Sequence, residues 1–298
     1  MAAIRISWSN FPTVAVHIRP VELKAHPSYA AIYASAKLGD VKAAHTLVGR
    51  FFNKAVVSAV IDGVIDYVVP VMELGEEGRW NPIPFELARV TAQAIGARVM
   101  PLIVRNNFTW PNGTGKLPLL PLDQPSFVGK VLPGRYLLVD DRVTYGSALA
   151  NLRGWISVNG GQVACATALS AAVFATKLVP NYLTLAHLKI RFNKDRKAFM
   201  HKLPFPFDYL TNGEARLIDA LPEPDPKRPE ATGAADEPAI AYKNNLLTPA
   251  VIREFRQDIV ATIAALCSAE TERLFVLPAE DLPRRSRELD LENCANIL

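Results

Sequence analysis

Residues 136–152, YLLVDDRVTYGSALANL, place two adjacent aspartates, Asp140 and Asp141, directly after the apolar residues Leu137, Leu138 and Val139. Like charges side by side at the end of a buried strand repel, and each is costly to desolvate, so a cation or a set of hydroxyls has to meet them. Thr144, Gly146 and Ser147 follow and open a helical pattern. Such a turn offers backbone N–H groups and hydroxyls at a helix start, which suits an anion such as a phosphate. The aspartates can accept hydrogen bonds from vicinal hydroxyls or hold Mg²⁺ through water. A phosphorylated ribose has both features: its 5′-phosphate would sit in the turn and its 2′- and 3′-hydroxyls on the carboxylates. An Asp-Asp pair can also simply close a strand and cap a turn; the helix start at a fixed offset favours the ligand. A phosphatase-type pair would need its second aspartate two positions after the first, where Arg142 stands.

The elements that must position these groups alternate strand and helix. YVVPV, 67–71, reads as a short buried strand. Asn81, with Pro82 in the first turn, predicts a helix to Ile95 that stops at Gly96. RVMPLIV, 98–104, predicts the next strand, 136–139 the one after, then a helix over 147–158 and a strand over 162–169. This alternation with short joins predicts an α/β fold, a doubly wound parallel sheet with helices on both faces, whose ligands bind beyond the carboxyl ends of the strands. Upstream, two short strands are expected near 4–8 and 13–18, a helix over HPSYAAIYASAKLGD, and a second helix, capped by Asp40, over 41–62. Residues 105–134, rich in Pro, Gly and Asn, read as a lid, with Arg105 or Lys116 as cations it could bring and Trp110 as a ring that could stack on a base. After residue 180 come a Thr211…Glu214 capping box, a Pro- and charge-rich stretch over 221–238 and an amphipathic helix after Thr248. The stripe Ile252, Phe255, Ile259, Ile263 and Leu266 predicts docking onto the main domain, with a homodimer interface as the alternative. The expected division is a helical hood over 1–60, an α/β core over 61–180, a helical extension over 181–220, a linker over 221–240 and a C-terminal helix with polar tail over 241–298.

Composition excludes several classes. The chain has 298 residues, half of them apolar, and a net charge of +4, which suits an anionic small molecule and gives nucleic acid no support. Three cysteines, at 165, 267 and 294, have no paired spacing, so no disulfide framework or zinc site is expected. No signal peptide or membrane-length apolar run is read, and a cytoplasmic location is expected. The basic run 189–202 reads as a solvated helix face, and the five histidines have no metal spacing.

The 137–148 stretch resembles the phosphoribosyl-pyrophosphate (PRPP) motif of type I phosphoribosyltransferases: apolar strand, two acids, and a threonine-rich turn with glycine. Arg142, Tyr145 and Ala148 depart from it, standing where an apolar residue, Thr or Ala, and a frequent threonine occur. A second stretch, YVVPVMELGEEGRWNPIPFELA, resembles the ComF-type competence members of that family: Val69, Pro70 and Val71, then Arg79, Asn81, Leu87 and Ala88, with Trp80 replacing a Gly-Phe pair. Tyr29, Lys37, Gly39 and Asp40 resemble that group's upstream helical region; its zinc-binding cysteines are absent. The resemblance covers residues 27–175 and implies the fold of a type I phosphoribosyltransferase. It implies PRPP bound by Asp140, Asp141, Thr144, Tyr145, Gly146, Ser147 and Ala148, with a pyrophosphate loop of Val71, Met72, Glu73 and Arg79. Asp140 and Asp141 would hold the ribose and, through water, Mg²⁺; Arg79 would help the leaving group in a transfer of phosphoribose to a nitrogen base or other acceptor. Glu73, Glu76 and Glu77 sit awkwardly beside pyrophosphate. The alternative implied is a non-catalytic PRPP- or nucleotide-binding accessory protein of DNA-handling machinery.

Overall fold

The computed structural model describes residues 4–74, 79–107, 124–192, 205–220, 248–266 and 273–277. Five strands form one sheet in the order β1 (Ala15–Ile18), β7 (Gly161–Ala171), β6 (Gly134–Val143), β2 (Tyr67–Pro70) and β3 (Arg98–Val99). All four pairings are parallel. A two-stranded antiparallel ribbon, β4 (Val104–Arg105) with β5 (Phe127–Val128), stands apart. The expected α/β fold with a parallel sheet is therefore present.

The central strands are apolar on both faces because both faces are covered. On one face α3 (Val41–Phe51), α5 (Ile83–Ile95) and α9 (Pro249–Leu266) pack Leu47, Val48, Leu87, Phe255, Ile259 and Ile263 against Val68, Val99, Leu137 and Val139. On the other, α6 (Ser147–Val158) packs Leu149, Leu152 and Ile156 against Val69, Tyr136, Leu138 and Ala166. The stripe of α9 thus docks onto the core, as its periodicity predicts; burying each such side chain contributes about 1.5–3 kcal/mol. A third, smaller cluster joins α7 (Tyr182–Arg191) to α8 (Asn212–Asp219) through Leu188, Phe192, Phe207, Leu210 and Ile218. Residues 273–277 extend the sheet beyond β3: Val99 N–H donates to the Leu274 carbonyl and Val276 N–H to that of Val99.

Local signals explain where elements stop. Gly96 ends α5 in the left-handed region at φ 72°, as expected. Asn81 Oδ1 accepts from Ile83 N–H, and the Thr211–Glu214 capping box forms. Three expectations differ. The strand 98–104 breaks after Val99 into a turn at Pro101–Leu102, because proline has no N–H for the ladder. The helix 41–62 divides, since Asn53 caps a new one, α4 (Lys54–Ser58), by accepting from Ala55 N–H. Residues 4–8 form no strand; they lie along α6, where Gly154 permits the approach, a Cβ there falling 2.0 Å from the Ile4 carbonyl oxygen. The remaining helices, α1 (Pro20–Ala25) and α2 (Pro27–Lys37), precede Asp40, which caps α3 by accepting from Ala43 N–H. No described helix is long and apolar enough to cross a membrane. The 221–238 stretch, most of the 189–202 run, Leu266's side chain, Cys267, Cys294 and the tail beyond 280 lie outside the described residues.

His17 ties β1 to its neighbours. Its Nδ1 accepts from Asn53 N–H, and its Nε2–H faces Thr167 Oγ1, whose own proton goes to the Ala15 carbonyl. Burial lowers its pKa from 6.5 to about 4. The unfolded chain therefore binds this proton first as pH falls, and stability is lost between 6.5 and 4. A shift of this size corresponds to about 3 kcal/mol in all. His17→Gln, which keeps one acceptor and one donor, should flatten the dependence of Tm on pH in that window, measured by thermal melts from pH 7 to 4.

Candidate functional site

β6 does not end at the aspartates. It runs on to Val143, so Asp140 and Asp141 are strand residues near its carboxyl end, both buried. Their neighbours supply the expected compensation. Asp141 Oδ2 accepts from the Tyr33 hydroxyl at 2.8 Å and from Lys37 Nζ at 2.9 Å, both from α2. Tyr33 and Lys37 are four apart on one helix, so they share a face and reach the same oxygen. The Asp141 backbone N–H donates to Asp140 Oδ1 at 2.8 Å.

The two carboxyls are driven apart electrostatically. Burial, Asp141 and Glu73 push the Asp140 carboxyl well above the ordinary carboxylate range. Burial would also raise Asp141, but Lys37, Tyr33 and a hydrogen bond with Asp140 hold it low. One carboxyl tends to keep its proton and the other is ionised. Burial pulls the Lys37 ammonium down, yet Asp141, Tyr33 and Glu73 outweigh it and keep it charged. Lys37 is thus a cation rather than a base or nucleophile. Burial and Asp141 raise the Tyr33 hydroxyl, so it stays a donor. Arg142 lies close enough to Tyr33 to act on it electrostatically.

The turn residues fall beside this pair, and α8 covers them. Gly146 begins α6 at φ 87° with no side-chain cap. The left-handed backbone there favours glycine, and a Cβ would also come 2.5 Å from Leu178 Cδ2, which would have to shift. The Ser147 hydroxyl donates to Glu214 Oε1 at 2.5 Å, and Thr211 Oγ1 donates to the Tyr145 carbonyl. Glu214 is fully buried and receives both guanidinium arms of Arg5, each at 2.6 Å. Arg5 also donates to Asn151 and Gln124. Burial would raise Glu214, but Arg5, Ser147 and the Thr211 N–H hold it ionised. A carboxylate of the chain itself therefore sits on the first residue of α6, where the partial positive charge of a helix start favours an anion. Thr144, Tyr145 and Ala148 are half-buried, and Tyr145 leans against Phe174.

The first loop is arranged differently from an open cradle. Val71 and Met72 are buried, Val71 N–H donates to the Val139 carbonyl, and the Met72 carbonyl accepts from Arg105 N–H. Glu73 pairs with Arg105, which is buried in β4 and belongs to the ribbon. Arg79 is exposed and its stem packs over Gly39. Glu76, Glu77, Trp110 and Lys116 lie outside the described residues. Of the site residues expected from sequence, Asp140, Asp141 and Glu73 come together electrostatically, and Gly146 and Ser147 lie beside α8. Among the described residues no three His, Cys, Asp or Glu side chains are grouped to hold a metal ion directly. Tyr33 was not singled out by sequence, although its i,i+4 relation to Lys37 was visible.

No protein-family model matches the chain. It is 33% identical over 240 residues to protein TraN of Escherichia coli; the match covers 79% of this chain and 52% of that protein, so the chain spans about half its length. Solved structures similar to it include an adenine phosphoribosyltransferase (15% identity, 49% of this chain and 77% of that one, TM-score 0.28). Another is the adenine phosphoribosyltransferase of Saccharomyces cerevisiae (13%, 58% and 86%, TM-score 0.28). A third is the orotate phosphoribosyltransferase of Aeropyrum pernix (14%, 52% and 77%, TM-score 0.21). These TM-scores are too low to establish a shared topology, and the description of the fold stands on the chain's own strand order.

Neighbouring substitutions should act with opposite sign. Asp140→Asn removes a carboxyl whose ionised form the fold disfavours, so Tm at pH 7 should rise by about 2 °C or more. Asp141→Asn leaves the Lys37 ammonium without its counter-charge and should lower Tm by at least as much. Calorimetric melts of the two variants against the parent chain decide the matter.

Proposed function

We propose that the chain binds a phosphoribosyl ligand, PRPP or a related nucleotide, and does not itself transfer the phosphoribose. The observation that supports this most is the cluster of Asp140, Asp141, Tyr33 and Lys37 at the carboxyl end of the sheet, beside the start of α6. It offers carboxyls for a sugar diol and a held ammonium for a phosphoryl oxygen side by side.

The binder is favoured over the transferase by the first loop. Departure of pyrophosphate builds negative charge that donors and cations must meet. Here the described part of the loop offers Glu73, the Val71 N–H and the Met72 carbonyl are committed to the sheet and ribbon, and Arg79 packs toward Gly39. Magnesium belongs to the ligand in this reading: it would arrive on the diphosphate and meet the aspartates through water. The resemblance to ComF-type sequences at Val69–Val71 and Arg79–Ala88 fits an accessory role alongside DNA-handling machinery, a role that a cytoplasmic location would suit.

Calorimetric titration of the full chain with PRPP and Mg²⁺ should show binding, and assays with a panel of nitrogen bases should show no pyrophosphate release. The double substitution Asp140→Asn/Asp141→Asn should weaken PRPP at least about tenfold, because a hydrogen bond to the ionised Asp141 contributes roughly 1.5–3 kcal/mol. Pyrophosphate release would establish the transferase instead, and absence of any binding heat or thermal shift would end both readings.

A further inference from the structure

α7 carries apolar side chains on two opposite faces, and the fold uses one of them. Leu188 and Phe192, four apart, are buried in the cluster that joins α7 to α8. Leu183 and Ile190, seven apart and so about 10 Å from each other along one face, are 72% and 74% exposed. At the helical period that pair lies on the side away from Leu188 and Phe192. Tyr182 at the start of α7 is 79% exposed, and Val173 in the short turn Val173–Ala175 is 87% exposed. Asn212 ties the two segments together: its Oδ1 accepts from Asn181 N–H and its Nδ2 donates to the Phe174 carbonyl. Half of the eight large apolar side chains that stand exposed among the described residues therefore lie between 173 and 190. Scattered singly they would need no explanation; gathered on one flank they mark an interaction surface.

The charges around this face indicate what covers it. Segments 173–192 and 205–220 carry Lys177, Lys189, Arg191 and Arg216 against Asp208, Asp219 and the buried Glu214, which Arg5 already matches. The Arg216 guanidinium lies over the Phe174 ring, next to Val173, and Lys177 is exposed just after the same turn. Lys189, beside Ile190 in sequence, pairs with Asp208. A second copy of the chain would set this basic rim against its own like, so the charge balance favours a partner of opposite sign. We propose that the exposed face of α7 is a docking surface for an acidic amphipathic helix of another protein. The apolar stripe of that helix would lie along Leu183 and Ile190, and its flanking carboxylates would meet Lys177 and Arg216. The surface uses none of the residues assigned to ligand binding, so this inference stands apart from that reading.

The test uses a fluorescein-labelled synthetic helical peptide with leucines three, four and seven apart and glutamates between them, titrated with the full chain and followed by fluorescence anisotropy. A second peptide has lysine in place of every glutamate. The glutamate peptide should bind at least about tenfold more tightly than the lysine peptide. Leu183→Gln/Ile190→Gln should weaken the glutamate peptide by about tenfold or more, since two central apolar contacts are lost. The same variant should melt at the parent's temperature, because both side chains stand in water and glutamine suits a helix. Lys177→Gln/Arg216→Gln should narrow the gap between the two peptides. No binding of the glutamate peptide, equal binding of both peptides, or binding that Leu183→Gln/Ile190→Gln leaves unchanged would overturn the proposal. So would a dimer in sedimentation that this variant abolishes, which would give the face to a second copy, or variant-sensitive co-sedimentation with phosphatidylserine vesicles in preference to the peptide, which would give it to a membrane surface.

Discussion

Burying two neighbouring carboxyls at the end of a strand is the constraint around which this molecule is arranged. In an apolar surrounding each ionised oxygen needs a donor or a counter-charge, and a like charge next door makes the need greater. The chain meets it with Tyr33 and Lys37 from one helix, which fixes where α2 must lie relative to β6. Gly39 and Asp40 then turn the backbone and cap α3, and α3 in turn packs with α5 on the sheet. A local electrostatic requirement thus sets the placement of the helices that cover one face.

The opposite end of the same motif is handled by an internal anion. Glu214, clamped by Arg5 and touched by Ser147, satisfies the start of α6 from within the protein. Buried ion pairs contribute little net stability against apolar alternatives, but they are costly to leave half-made, which favours a single arrangement of the partners. The segment 4–5, the start of α6 and α8 are therefore held in one relation, and α8 is an integral wall of the turn.

Much of this was legible along the chain. The apolar run into Asp140–Asp141 with Gly146 behind it marked a strand, a turn and a helix, because glycine and the change of period act locally. Asp40, Asn81, Gly96 and the Thr211–Glu214 box worked for the same reason. What sequence reading missed is non-local. Nothing near Asp141 announces that its partners lie 104 and 108 positions earlier, and Glu214 meets Arg5 across 209 residues. In the same way, nothing local to Thr144–Ala148 announces that α8 brings the Glu214 carboxylate to Ser147. The break at Pro101 was visible but underweighted, since an apolar run outvoted a missing N–H.

The short segment 273–277 has a consequence for how the chain matures. It completes the β3 margin by pairing with Val99, a contact made across more than half of the polypeptide. Until that stretch has been synthesised, the margin of the sheet presents unpaired amide groups open to adventitious strand partners. Closure of so distant a loop is entropically slow, so this margin is among the last parts of the sheet to be covered.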